Sequence, residues 1–356
     1  MVEVTSPLDP LPSLELGLRE SVRPDVSIVI PTLQEEDAIR ECLDSLLEQD
    51  YENIRELLVV DGGSLDRTRE IVGGYSVGVR LVDNPNVTAA SAMNIGIEEA
   101  SSDVIVRIDA HSRYERDYVT RSVEALLTSG AAVAGGPMRP VGRTQFGNAV
   151  ALVTTSPLGV GPGRFHYSDT AEFVDTVYLG TFFAVDIMAV GGYDTESLQW
   201  AAEDQELNYR IRRAGGRIWL DPRIKSTYEP RSTPRALARQ YRNYGLAKAS
   251  TLKKHRTLPT WRPLAPAGMV SAFILGAVAG LLLRQFWLAV VFPLSYFLLA
   301  LLASLWLSRR SPKMLGRTLC ALTICHLAYG VGFLQGLGRI ALRRPFEVRP
   351  RSRKRV

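Results

Sequence analysis

Glu56-Leu-Leu-Val-Val-Asp-Gly-Gly-Ser64 decides the reading of this chain. Glu56 to Val60 is a short apolar run of the kind that forms a strand buried on both faces. Asp61-Gly62-Gly63-Ser64 ends it, and Asp66 to Val72 continues as a helix. The same unit recurs on either side. Val26-Ser-Ile-Val-Ile30, stopped by Pro31, is a strand, and Glu36 to Gln49 follows as a helix with Ile39, Leu43, Leu46 and Leu47 on one face. Val79 to Val82 is a third strand, Thr88 to Ala100 a helix rich in small residues, and Val104 to Ile108 a fourth strand ended by Asp109-Ala-His111. Alternation of this kind predicts right-handed βαβ units and a doubly wound, mostly parallel α/β sheet. Such sheets bind ligands at the carboxyl ends of their strands, where Gln34-Glu35, Asp61 and Asp109 fall.

Further on, Gly135 to Arg164 is rich in Gly and Pro and reads as loop. Val177 to Val185 is strand-like, Gly191-Gly-Tyr-Asp194 a turn, Glu203 to Ala214 a helix closed by Gly215-Gly216, and Arg217 to Leu220 a last short strand.

The acidic residues are unevenly placed. After Glu229 only Glu347 remains, while Arg and Lys continue to the end, so the net charge of +5 hides a soluble half and a basic, apolar half. Leu264 to Leu283 and Phe286 to Leu307 are each nearly uncharged and long enough for roughly 30 Å of hydrocarbon. Arg284-Gln285 makes the turn of a helical hairpin. Leu315 to Leu342 is less clear, because basic residues flank it on both sides, and the positive-inside rule places both flanks in the cytoplasm. It either crosses against the rule or is re-entrant or interfacial. Pro234 to Lys254 is amphipathic, with Leu237, Tyr241, Tyr244 and Thr251 on one face and Arg235, Arg239, Arg242 and Lys253 on the other, as a helix at a membrane surface requires. A helix packed on its own domain would show the same pattern. Met1 to Pro24 lacks a basic segment followed by an apolar one, so no signal peptide is expected and the soluble half should stay in the cytoplasm. Cys42, Cys320 and Cys325 make no disulfide framework. The basic residues flank apolar spans and no nucleic-acid module is visible, so no nucleic-acid partner is expected.

The carboxylates carry the chemistry. Asp61, beside two glycines, can accept hydrogen bonds from a base or a ribose hydroxyl, or can cap the helix that follows. Asp109 and His111 place an oxygen and a nitrogen on one side of an extended backbone, which suits Mn²⁺ or Mg²⁺ beside a diphosphate. Glu203-Asp204 can supply a general base or merely favour a helix N-terminus.

Taken together, residues from about Val26 to Tyr244 resemble the family-2 glycosyltransferases of the GT-A fold. Val26-Ser-Ile-Val-Ile-Pro-Thr-Leu-Gln-Glu35 resembles the family's opening strand, Val59-Val-Asp-Gly-Gly-Ser-Leu-Asp-Arg-Thr68 its nucleotide-binding turn, and Ala89 to Gly96 the helix before its metal strand. Asp109-Ala-His111 stands where the family has Asp-x-Asp, and Glu203-Asp204 matches its Glu-Asp pair. Gln240-Tyr-Arg-Asn-Tyr-Gly245 and the membrane tail resemble the membrane-bound transferases of succinoglycan-type exopolysaccharides. The resemblance implies an inverting transferase of the cytoplasmic (inner) membrane, multi-pass, with its catalytic domain in the cytoplasm. It implies a UDP- or GDP-linked sugar donor, a lipid-linked or polysaccharide acceptor, and contact with membrane lipid. It implies Asp204 as base with Glu203 beside it, and a metal on Asp109 and His111. Nucleotide-sugar binding falls to Pro31, Thr32, Glu35, Asp61, Ser64, Asn94 and Arg107, and acceptor or membrane contact to Arg239, Gln240, Arg242 and Tyr244. Two departures matter: His111 replaces an Asp, and Ser226-Thr-Tyr-Glu229 lacks a further His. The Gln-x-x-Arg-Trp signature of processive synthases is absent, so transfer of a single sugar is expected. A nucleotidyltransferase would need a Gly-rich basic loop after the first strand, which Val26 to Ile39 lacks, and a non-catalytic nucleotide sensor would not need Asp204. The expected organisation is an extension over 1–24, a GT-A domain over 25–232, an interfacial helix over 233–258, membrane helices over 259–342 and a basic tail over 343–356.

Overall fold

The computed structural model describes residues 12–20, 23–75, 77–197, 201–258 and 260–346. Most of the expected N-terminal extension and of the basic tail lies outside the described residues. Along the chain the strands are β1 (Val26–Thr32), β2 (Ile54–Asp61), β3 (Val79–Asp83), β4 (Val104–Arg107), β5 (Ser112–Tyr114), β6 (Val133–Gly136), β7 (Arg139–Pro140), β8 (Glu172–Val174), β9 (Tyr178–Phe183), β10 (Ile218–Leu220) and β11 (Ser226–Tyr228). The helices are α1 (Pro12–Glu15), α2 (Ile39–Leu47), α3 (Thr68–Gly73), α4 (Ala89–Glu99), α5 (Tyr118–Ser129), α6 (Gln145–Thr154), α7 (Pro157–Val160), α8 (Ala184–Ala189), α9 (Glu203–Arg213), α10 (Pro234–His255), α11 (Leu264–Leu282), α12 (Trp287–Leu307) and α13 (Leu315–Ala341). Two compact units divide them: residues 1–139, 164–199 and 203–228 form the first, and 140–163, 200–202 and 229–356 the second.

The first unit is built on an eight-stranded sheet of order β3-β2-β1-β4-β9-β6-β10-β8. β1, β2, β3 and β4 pair in parallel, as the alternating sequence predicts. β9 runs antiparallel to both of its neighbours, β4 and β6, so the sheet is mixed. Ile28, Val29, Ile30, Leu58, Val59, Val60, Ile105 and Val106 are all sealed, which is why these strands lack alternation. Ile28 and Ile30 face one core layer with α2 and α5, and Val29 and Leu58 face the other with α4. The small residues of α4 have a packing reason. A Cβ on Gly96 would overlap the Val29 side chain, so α4 can lie directly on β1 only with glycine there. Thr88 starts that helix by accepting the Ser91 N–H.

The second unit is helical. Here the loop reading of Gly135 to Arg164 is corrected: α6 and α7 occupy it, and all but a few of these residues belong to the second unit. The Thr144 and Ser156 hydroxyls cap the two helices. Val150 and Val153 give α6 its buried face. α11 and α12 form the expected hairpin, turning at Arg284, whose φ is +53°. Gly276 and Gly280 bring the helices together, since a Cβ at either would crowd the backbone of Leu288 or Ala289. α13 is one unbroken helix of 27 residues. The aromatic face of α10 is likewise corrected: Leu237 and Tyr241 are buried with α6 and α13 residues such as Val153 and Leu322, and are not free for lipid.

Candidate active site

Thr32 and Asp61 stand side by side at the ends of β1 and β2. Asp61 is buried, and its Oδ2 accepts the N–H groups of Gly63 at 3.0 Å and Ser64 at 2.9 Å. Its Oδ1 accepts the Ser64 hydroxyl. The Arg69 guanidinium donates to the same Oδ2 at 3.0 Å and to Asp83 at 2.8 Å. Asp61 thus fixes its own turn, and the start of α3 is served instead by Asp66, which accepts the Thr68 N–H at 3.0 Å. Ser64 and Thr68 in turn accept the N–H groups of Gln34 and Glu35, both at 2.8 Å, so the two strand-end loops are laced together. Gln34, Val87 and Ala202 all have positive φ, and for β-branched Val87 this is an uncommon strain. A Cβ at Gly62 would lie 3.1 Å from the Val87 carbonyl, so a larger residue would have to push the Val87 backbone aside. Strained residues held by surrounding structure are frequent at ligand sites.

Asp109 follows β4 and is framed by tyrosines. The Tyr114 hydroxyl accepts the Asp109 N–H at 2.9 Å and donates to the Asp109 carbonyl at 3.1 Å. The Tyr178 hydroxyl donates to Asp109 Oδ2 at 3.2 Å. Burial, and then the Asp109 charge, push the Tyr178 pKa well above its ordinary value, so it remains a donor. His111 Nδ1 lies 3.6 Å from Glu35 Oε1. Among the described residues no set of three or more His, Cys, Asp and Glu side chains is arranged around a metal. Asp109 and His111 offer an oxygen and a nitrogen donor, and Mg²⁺-type sites take one or two protein donors and complete their shell with phosphate and water.

Arg107 joins the two halves of the site. It is buried; Nη1 donates to Asp204 Oδ1, Nη2 donates to Glu203 Oε1 at 2.9 Å, and Nη2 lies 3.9 Å from Asp109. Its guanidinium carbon is 5.6 Å from the centre of the Tyr193 ring. Burial alone would lower the Arg107 pKa, but Tyr193, Glu203 and Asp109 around it raise it, and it stays charged. Tyr193 is positioned by Asn94, whose amide accepts the Tyr193 N–H at 2.8 Å and donates to its carbonyl at 2.9 Å.

The structure therefore brings Arg107, Asp109, Glu203 and Asp204 into one cluster, sets Glu35 against His111, and ties Asp61 to Ser64. Pro31 and Thr32 lie at the end of β1, with Thr32 turned to the Ile30 carbonyl at 3.0 Å. The Asn94 and Arg107 side chains, expected at the donor, make their hydrogen bonds within the protein here. Arg210 is tied to Glu206 and to the carbonyls of Val190 and Gly192. Arg239, Gln240, Arg242 and Tyr244 belong to the second unit, where Gln240 donates to the Tyr244 hydroxyl at 3.1 Å and Arg242 to Gln335 at 2.7 Å. Sequence reasoning missed Arg69, Tyr178 and Tyr193. The first follows the turn motif by one residue, but nothing in the sequence places β9, and with it Tyr178, against β4.

A sheet with paired carboxylates at its strand ends, joined by one arginine to a helix-borne Glu-Asp pair, defines a class, and comparison gives its family. The profile described as Glycosyl transferase family 2 matches residues 27–186. The succinoglycan biosynthesis protein ExoA of Rhizobium meliloti (strain 1021) is 33% identical over 87% of this chain and 94% of its own length. A dolichyl N-acetyl-alpha-D-glucosaminyl phosphate 3-beta-D-2,3-diacetamido-2,3-dideoxy-beta-D-glucuronosyltransferase of Methanococcus voltae is 26% identical, covering 88% and 97%. Among solved structures, the mannosyltransferase PcManGT from Pyrobaculum calidifontis, in complex with GDP-Man and Mn2+, superposes with a TM-score of 0.56 at 20% identity, covering 89% of this chain and 88% of that one. The chain belongs to glycosyl transferase family 2 and is a glycosyltransferase with a GT-A-like core. Its three apolar helices, each long enough to cross a bilayer, associate it with a membrane.

Proposed function

We propose that this protein transfers one sugar, with inversion, from a UDP- or GDP-linked donor to a lipid-linked or surface-polysaccharide acceptor at the cytoplasmic membrane face. The observation that carries this reading is the Arg107 cluster, which sets Asp204 within one guanidinium of Asp109. Asp204 takes the proton of the acceptor hydroxyl; the oxygen attacks the anomeric carbon as the bond to the diphosphate breaks on the opposite face. Glu203 accepts from the same guanidinium. Asp61 Oδ1 has a lone pair left for a donor group of the nucleoside, and Glu35 faces the same loop. Mn²⁺ or Mg²⁺, when bound by Asp109 and His111 with the diphosphate, supplies positive charge for the leaving group. Excess EDTA is then expected to abolish transfer, and unchanged turnover would remove the metal from the account.

An exopolysaccharide-linked relative and a dolichyl-linked one support an acceptor at a membrane. Asp204→Asn is the direct test. Turnover should fall by about 10²–10⁴-fold, while the nucleoside diphosphate still binds by calorimetry. Loss of binding along with activity would show that Asp204 serves the donor instead.

A further inference from the structure

We propose that α13, although long and apolar enough to cross a bilayer, does not cross it: paired with α10, it lies along the headgroup layer of an anionic membrane, on the side from which α11 enters. The helices of the second unit carry this by the order of their contacts. A Cβ on Gly332 would meet the Arg242 carbonyl, one on Gly245 the Tyr329 carbonyl, and one on Gly336 the Ala249 side chain. From Arg242 with Gly332 to Ala249 with Gly336 the residue numbers rise together on the two helices, so they run parallel in backbone contact. Leu237 and Tyr241 share a core with Leu322 and Cys325, and Leu252 with Leu337 and Ile340, so the pairing holds over most of α10.

Depth follows from the hairpin. A Cβ on Gly330 would strike the Pro266 carbonyl and the Val270 side chain, in the first turns of α11. Earlier in α13, His326 faces Tyr296 at 3.1 Å, and Leu322 and Cys325 share a core with Ala300 of α12. α13 therefore starts at the closing end of α12, passes obliquely over the hairpin and reaches the opening end of α11. A helix crossing the bilayer would instead finish near Arg284. There Leu281, Leu282 and Phe286 are 81%, 75% and 80% exposed.

Charge excludes the alternative. Arg235, Arg239, Arg242, Lys253 and Lys254 are exposed on α10, and a crossing α13 would draw its parallel partner and these cations into hydrocarbon. Two polar side chains of α13 are answered by protein: His326 Nε2 lies 2.9 Å from the Leu158 carbonyl, and Gln335 accepts from Arg242. Both flanks of α13 are basic, Arg309, Arg310, Lys313 and Arg317 before it and Arg339, Arg343 and Arg344 near its end. Lying flat puts both on one leaflet face, with anionic lipid as the partner, and satisfies the positive-inside rule without exception.

The test is single-cysteine labelling of the full-length chain with Cys42, Cys320 and Cys325 replaced by Ala. Arg284→Cys, Arg310→Cys and Arg344→Cys are each exposed to an impermeant maleimide in intact cells and again after permeabilisation. Position 344 is expected to label like 310 and unlike 284, whichever way the protein is inserted. Labelling of 344 together with 284 would overturn the proposal. A protease-cleavable tag after Val356 on the otherwise unaltered chain gives the same decision should the cysteine variants fold poorly: cleavage should follow the side of position 310.

Discussion

Arg107 concentrates more of the chemistry than any other residue. A planar guanidinium can hold Asp204 with one nitrogen and Glu203 with the other while remaining near Asp109; an ammonium carries its donors on a single nitrogen and cannot reproduce that two-nitrogen spacing. Its Nε has no hydrogen-bond partner although buried, so the side chain is held by its two terminal nitrogens and by the Tyr193 ring. The amide of Asn94, through the Tyr193 backbone, fixes that ring. Arg107→Lys should therefore displace the base rather than the donor. Turnover is expected to drop about 10²-fold with the donor KM nearly unchanged, because a misplacement of roughly 1 Å has that cost. An equal rise in the donor KM would mean that Arg107 grips the nucleotide sugar after all.

At the scale of elements, Glu56 shows how the parallel half of the sheet is fastened. It sits in β2, its Oε1 accepting from the Ser27 hydroxyl of β1 at 3.0 Å and from the N–H and hydroxyl of Ser101, just before β4, at 2.8 and 2.7 Å. Arg80 of β3 approaches its other oxygen at 3.4 Å. Burial raises the Glu56 pKa, but the Ser101 and Ser27 hydrogen bonds and Arg80 outweigh it, and the folded value is lowered. A lowered folded pKa stabilises the protein above the unfolded glutamate pKa, and the contribution disappears as pH falls through the folded value. Glu56→Gln should thus lower stability by about 1–2 kcal/mol at neutral pH, and the difference should shrink in acid. Unfolding in detergent at both pH values measures it; a difference independent of pH would locate the effect in packing. The strands that Glu56 ties together, β1 to β4, were legible because each is a continuous apolar run with a breaker at its end. β9 was legible as a strand but not as an antiparallel insertion between β4 and β6, since that pairing depends on residues more than seventy positions away from β4. α6 was read as loop because its glycine and the glycines and prolines around it resemble a turn. Its buried stripe makes sense only against α13, far along the chain. The carboxylates of the site and Arg107 were legible one by one; the link that Arg107 makes between them was not, because its partners lie 96 and 97 residues away.

For the molecule as a whole, the division of charge has a functional reading. On the proposed function, a soluble nucleotide sugar diffuses to the strand-end carboxylates while a lipid-linked acceptor stays in its leaflet, so that reading requires the chain to hold itself at the membrane surface. Acidic residues nearly vanish after Glu229, and the exposed arginines of α10 are left with no like-sized acidic surface to neutralise them. Each such cation near an anionic leaflet is worth about 1 kcal/mol, and the attraction is screened beyond roughly 10 Å at ordinary salt. Arg239 and Arg242 stand on the exposed face of α10, opposite the buried Leu237 and Tyr241, so replacing them leaves the helix core intact. Arg239→Gln combined with Arg242→Gln should raise the apparent KM for a lipid-linked acceptor several-fold more than that for the sugar nucleotide, and high salt should narrow the gap between variant and parent. Steady-state kinetics in anionic vesicles, with each substrate varied in turn, reads this directly. Equal effects on both substrates, or a gap indifferent to salt, would show that these arginines hold the second unit together through contacts such as Arg242 with Gln335 and do not address the membrane.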